Sequence, residues 1–142
     1  ARCFDASGEC VSARADLAGA TDKMAGYVSE LARENQASAI LGLGCSNGAN
    51  ILANVLIEKG LFDASALMHP LIPFEPDVKG SLAGRHMLIT AGRRDPICPP
   101  SLTSRLEAYL RADGADVTVE WHDGGHEVRP NEIEAARRFL AI

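Results

Sequence analysis

An α/β fold, with a mostly parallel sheet of about four strands and helices on both faces, is what this sequence predicts. Two observations carry the expectation. Short apolar runs alternate with helical patterns from about Asp16 to the C-terminus, and the sharpest turn, Gly44-Cys45-Ser46-Asn47-Gly48, joins one such run directly to a helix. Parallel neighbours need a crossover, and helical crossovers cover the sheet on both faces. At 142 residues, 46% of them hydrophobic, the chain has the length of one domain with a core of its own.

The opening ARCFDASGEC has no usable periodicity and reads as irregular. From about Asp16, residues Leu17, Met24, Val28 and Leu31 fall on one helical face, which predicts a surface helix lying on the sheet. Ser38 to Leu43 is the first strand. From Asn47 onward, Ile51, Leu52, Val55 and Leu56 make a helix apolar enough to be largely buried, and Lys59-Gly60 ends it. Ala64 to Met68 is the second strand, stopped by His69-Pro70. Three prolines and two glycines make Pro70 to Gly84 a loop over the carboxyl ends of the strands. His86 to Ala91 is the third strand, and Gly92 to Pro96 a turn with an acid at its tip. Ser101 to Ala112, with Leu102, Leu106 and Leu110 four apart, is a helix closed by Gly114. Asp116 to Trp121 alternates as the fourth strand. Asn131 is placed to cap a last helix whose Glu132 and Glu134 open it and whose Arg137 and Arg138 close it, as the helix dipole favours.

The chemistry centres on the turn at Ser46. G-x-S-x-G between a strand and a helix is the context of a nucleophile elbow, in which the serine takes a strained φ > 0 and its neighbours two positions away must lack side chains. Gly44 and Gly48 meet that demand, and the following helix aims its free N–H groups at whatever the serine attacks. The bland alternative is a glycine-rich phosphate loop, but neither G-x-G-x-x-G nor G-x-x-x-x-G-K-[ST] is present. Cys45 is not in register to be the nucleophile, because positions 43 and 47 are Leu43 and Asn47. It reads as a packed or pocket-lining thiol.

In a parallel sheet the functional groups gather at the carboxyl ends of the strands. His86 begins its strand and so lies on the opposite rim. His126, on a glycine-flanked loop beyond the last strand, is favoured as the base, with His69 and His122 as alternatives. Asp63, Asp113 and Asp116 lie at the wrong end. Asp95 is favoured as the acid, with Asp77 and Asp123 behind it. The order Ser46, Asp95, His126 is nucleophile, acid, base, the order of the α/β-hydrolase fold. Leu71, Ile72 and Phe74 on the long loop are either anchors to the core or a hydrophobic wall for an acyl or alcohol group, and Ile97 beside Asp95 joins them as a substrate-side candidate. A metal on His122 and His126 lacks an evident third ligand.

GCSNGANI at 44 to 51, HPLIPFEP at 69 to 76, GRRDPICPP at 92 to 100 and DGGHEV at 123 to 128 together resemble the phospholipase/carboxylesterase branch of the α/β hydrolases, which also holds acyl-protein thioesterase-like enzymes. The resemblance runs from about Phe4 to the C-terminus. It implies a cofactor-free serine hydrolase of carboxylic esters or thioesters, with Ser46, Asp95 and His126 as the triad and the Asn47 N–H as one oxyanion donor. Cys45 departs from the aromatic or bulky residue common at that position. The strands that normally precede the helix at Asp16, one of them followed by a His-Gly loop with the second oxyanion donor, have no counterpart. Residues 1–142 are therefore expected to be one partial catalytic domain, the C-terminal portion of a longer protein, whose first strand has one side unpaired. Without the second donor, worth roughly 3 to 4 kcal/mol, this piece is expected to be nearly inactive alone.

The partners expected are thus a small-molecule ester or thioester and the missing N-terminal segment, on the same or a separate chain, with a homodimer left open. A non-catalytic ligand-binding or scaffold protein of the same fold is the rival reading. The net charge of -5, with scattered Lys and Arg, gives no basic stripe for nucleic acid. No apolar run approaches the roughly 18 residues of a membrane span. Cys3, Cys10, Cys45 and Cys98 lack C-x-x-C spacing and read as free thiols, and the cytoplasm is the default location.

Overall fold

The computed structural model describes residues 11–72, 77 and 79–141. Phe74 and the opening segment, with Cys3 and Cys10, lie outside the described residues. The elements run α1 (Val11–Glu34), β1 (Leu41–Cys45), α2 (Asn47–Lys59), β2 (Ala64–Met68), β3 (His86–Gly92), α3 (Pro100–Ala112), β4 (Asp116–His122) and α4 (Pro130–Leu140). The strands form one parallel sheet in the order β1-β2-β3-β4. Its register aligns Cys45 with Met68 and Met68 with Thr90. Ser46 and His69 therefore step off the same rim side by side.

Burial on both faces explains why the strands read as nearly continuous apolar runs. On one face Leu67, Met87, Ile89 and Val117 pack with Val55 and Leu56 of α2 and with Leu106 and Leu110 of α3. On the other, Ala66 and Leu88 meet Ala135, Ala136 and Leu140 of α4. That helix covers β2 and β3, so Leu41 and Leu43 on the same face of β1 stay 46% and 57% exposed. No strand lies beyond β1 among the described residues. No helix there is long and apolar enough to cross a membrane.

Three expectations are corrected. The first strand is Leu41–Cys45 rather than Ser38 to Leu43. Ile40 spends its backbone on the loop, donating to Asp63 Oδ2 and accepting from the Asp63 N–H, while the Ser46 N–H extends pairing to the Met68 carbonyl. Helix α1 starts at Val11 and rests chiefly on α2 rather than on the sheet. Its buried seam is Thr21 and Ala25, with the Thr21 hydroxyl donating to the Leu17 carbonyl and accepting from Asn54 Nδ2, so Met24 and Leu31 are left exposed. Finally, Asn131 does not cap α4. Arg129 is the N-cap residue, Pro130 opens the helix, and Glu132 Oε2 reaches back to the Arg129 N–H at 2.7 Å.

Asp113, on the rim away from Ser46, ties the long loop down. It is fully buried and accepts hydrogen bonds from the Lys79 and Gly80 N–H groups and from the Ser81 hydroxyl. Burial pushes its carboxyl up, but those bonds outweigh it and hold the group below the usual range. Asp113→Ala should lower stability by about 3 kcal/mol, because two amides and a hydroxyl lose a charged acceptor. Urea denaturation should show a lower midpoint at unchanged slope.

Candidate active site

Ser46 occupies the single residue between β1 and α2, with φ 50° and ψ -118°. Its N–H still pairs with the Met68 carbonyl at 2.8 Å, while its own carbonyl already accepts the first helical bond, from Asn50, at 3.0 Å. One residue thus ends a ladder and begins a helix, at a backbone cost of order 1 to 3 kcal/mol. Gly44 is obligatory for that geometry, since a Cβ there would sit 2.7 Å from the Gly48 carbonyl oxygen and 2.8 Å from the Ala49 nitrogen. Gly48 has open space around it, so its share of the motif is not enforced by a clash.

The loops after β3 and β4 bring the other two predicted groups to this turn. The Arg93 and Arg94 N–H groups bond the His122 and Gly124 carbonyls at 2.8 and 2.9 Å. Gly92 lets the loops close, because any Cβ there would collide with the Gly125 carbonyl. His126 Nε2 then lies 2.9 Å from Ser46 Oγ, and its Nδ1 lies 2.8 Å from Asp95 Oδ2. The Asp95 side chain is wholly buried, and that of His126 is 23% exposed. Burial alone would push the Asp95 carboxyl up. Bonds from the Cys98 N–H, His126, His69 and the Ile97 N–H together bring it down to about 2. Ionised Asp95 can only accept, so His126 Nδ1 carries the hydrogen and Nε2 presents a lone pair to the hydroxyl.

A second layer lies behind Asp95. His69, with φ 51° and no exposure, donates from Nδ1 to Asp95 Oδ2 at 2.9 Å. Its Nε2 is 3.0 Å from Oε1 of Glu132, and His122 Nε2 is 3.3 Å from Glu132 Oε2. Both contacts have ion-pair length but lie off the line of a straight hydrogen bond. His69 and His122, the alternative bases, thus sit beside the array and not against Ser46. Sequence reasoning placed Glu132 only as an acid opening the last helix and missed it as a site residue, 1% exposed. The capping spacing of Arg129 to Glu132, with histidines at the carboxyl ends of β2 and β4, was the available signal.

The remaining candidates scatter. Asn47 opens α2, so its N–H has no acceptor within the helix and points from the turn. Cys45 is exposed, its thiol pushed up by partial burial and by Glu132. Leu71 is half-buried and anchored through its N–H to Asn50 Oδ1 at 2.6 Å. Ile72 is 8% exposed and packed in the main core, as the anchor alternative has it and not as a substrate wall. Ile97 is 57% exposed near Asp95. Asp77 and Asp123 are exposed and lie outside the array, as does His86 at the start of β3.

No protein-family model matches the chain. It is 34% identical over 141 residues to MhqD of Bacillus subtilis (strain 168), which bears a hydrolase's name, covering 97% of this chain and 70% of that protein. Among solved structures, Atu2452 of Agrobacterium tumefaciens str. C58 superposes with a TM-score of 0.87 at 53% identity, over 98% of this chain and 68% of that one. A carboxylesterase of Bacillus cereus superposes with a TM-score of 0.84 at 30% identity, over 98% and 66%. The chain thus spans about two thirds of the length of these relatives.

The pH dependence of stability tests the electrostatics of Asp95. Its carboxyl is lowered from 3.8 to about 2, so its contribution, about 2 kcal/mol, is fully present above the unfolded value and is lost as pH falls through the folded one. The gap in melting temperature between the native protein and Asp95→Asn should narrow across that window. A gap independent of pH would contradict the assignment.

Proposed function

Because the chain belongs to the α/β hydrolases of the phospholipase/carboxylesterase type, and as such is a hydrolase, we propose that it cleaves carboxylic esters or thioesters by covalent catalysis at Ser46. The observation that carries this reading is the unbroken run of contacts from Ser46 Oγ through His126 to buried Asp95, at 2.9 and 2.8 Å, against the opening of a helix. His126 takes the hydroxyl proton as Ser46 attacks the carbonyl carbon, and Asp95 holds the imidazole in the tautomer that can accept it and stabilises the cation. The Asn47 N–H and the dipole of α2 meet the oxyanion. Collapse of the tetrahedral intermediate returns the proton from His126 to the leaving alcohol or thiol and leaves an acyl-enzyme. Water, deprotonated by His126, then releases the acid. Leu71 and Ile97 supply apolar surface for the substrate, and no metal or cofactor enters the scheme.

A fluorophosphonate should label Ser46 in the full-length protein, and p-nitrophenyl acetate should be hydrolysed. Ser46→Ala should abolish labelling and lower kcat/KM by at least about a thousandfold. A probe that binds the native protein without a covalent adduct, or activity undiminished in Ser46→Ala, would instead favour a non-catalytic ligand-binding protein of the same fold.

A further inference from the structure

Among the buried titratable side chains that hydrolysis by Ser46, His126 and Asp95 leaves unused, His69, His122 and Glu132 stand together, at 0%, 7% and 1% exposure. Burying a carboxylate and two imidazoles has to be compensated by partners, and here the partners are each other. The hydrogens can be counted. The Gly124 N–H donates to His122 Nδ1 at 3.0 Å, so the hydrogen of neutral His122 is on Nε2, facing Glu132. His69 Nδ1 faces ionised Asp95 and must carry a hydrogen. Neutral His69 would then turn a bare Nε2 lone pair toward Glu132 Oε1 at 3.0 Å, with no exposure to solvent on either side. Two lone pairs do not rest that close, so one more proton belongs to this pair.

We propose that His69 is a positioning residue of the reaction: it clamps Asp95 from behind through Nδ1–H, and an extra proton held by its ion-pair contact with Glu132 keeps that clamp donating throughout turnover. This rests on the hydrolase reading above. The clamp fixes the Asp95 oxygen that orients His126, since Oδ2 takes both imidazoles while Oδ1 takes the Ile97 and Cys98 N–H groups at 2.8 Å. The extra proton also keeps the His69–Glu132 pair from adding a second net negative charge behind Asp95. The groups facing His69 are Asp95 and the Cys98 thiol from the loop after β3, His122 and His126 from the end of β4 and the loop beyond it, and Glu132 from α4, with Cys45 at the end of β1 close to Glu132. The same three side chains could converge on a metal ion. That occupant is disfavoured, because His122 Nε2 keeps its hydrogen while Nδ1 accepts from Gly124.

Two measurements on the full-length protein test the proposal. In 15N-labelled native protein, the His69 ring should show hydrogens on both Nδ1 and Nε2, unchanged across the pH range of the labelling profile, and Glu132→Gln should leave Nε2 a plain acceptor. This readout does not require Ser46 to react, so it separates failure of the clamp from failure of the hydrolase reading, which would appear as absent labelling of Ser46. The second measurement is the rate of fluorophosphonate labelling against pH. His69→Ala removes a donor from Asp95, whose charge then holds the His126 proton more tightly, so the acid limb should move to higher pH and the plateau should fall roughly tenfold to a hundredfold. His69→Asn, whose amide can stand where Nδ1 stood, should recover most of both. A bare Nε2 in the native protein, one stoichiometric equivalent of bound zinc, or equal losses in both variants with the limb unmoved would overturn the proposal.

Discussion

Asp95 is where the rim of the sheet is tied together. Its carboxylate is buried on a loop of β3 and accepts from its own loop at Ile97 and Cys98, from the end of β2 at His69, and from the loop after β4 at His126. A carboxylate without those donors would be expensive to bury and would take up a proton. With them it stays ionised, and an ionised acceptor leaves His126 only one tautomer. The orientation of the imidazole toward Ser46 is therefore a consequence of how many N–H groups converge on one oxygen pair.

Backbone strain also falls at this rim. Ser46 and His69, the residues just past β1 and β2, both have positive φ without being glycine, at 50° and 51°. Each is nonetheless anchored in the ladder, Ser46 N–H to the Met68 carbonyl and His69 N–H to the Thr90 carbonyl, both at 2.8 Å. The next strand holds each one in a conformation it would leave if free. Consecutive strand ends are thus bent in the same way, which turns one side chain toward the proposed reaction and the other toward the back of Asp95.

Much of this was legible in sequence because it is local. Alternation of apolar runs and helical patterns gave the parallel sheet, Gly44 and Gly48 marked the bend, and the rim rule separated Ser46, Asp95 and His126 from His86, Asp63 and Asp116. What escaped is set by contacts between distant segments. His69 before a proline looks like a strand stop, and Glu132 in the first turn of a helix looks like a solvated partner of the dipole. Only the packing of α4 across β2 and β3 brings them together. Likewise Met24 and Leu31 share a helical face with Val28, yet the seam of α1 is set by Thr21 meeting Asn54, a polar contact that hydrophobic periodicity does not register.

The separations in sequence say when the site can exist. Ser46 meets His126 across 80 residues, His126 meets Asp95 across 31, and Asp95 meets His69 across 26. The bend itself draws on β1, α2 and the adjoining end of β2, whose Met68 carbonyl accepts from the Ser46 N–H. Contacts of long separation are favourable only after the loop-closure entropy of everything between them has been met. The line from hydroxyl to carboxylate therefore assembles after β2, β3 and β4 are paired, and loosening β3 or β4 misplaces His126 before it disturbs Ser46. The proposed reactivity at the serine reports on the whole sheet, whereas the shape of the turn reports on β1, α2 and the neighbouring end of β2.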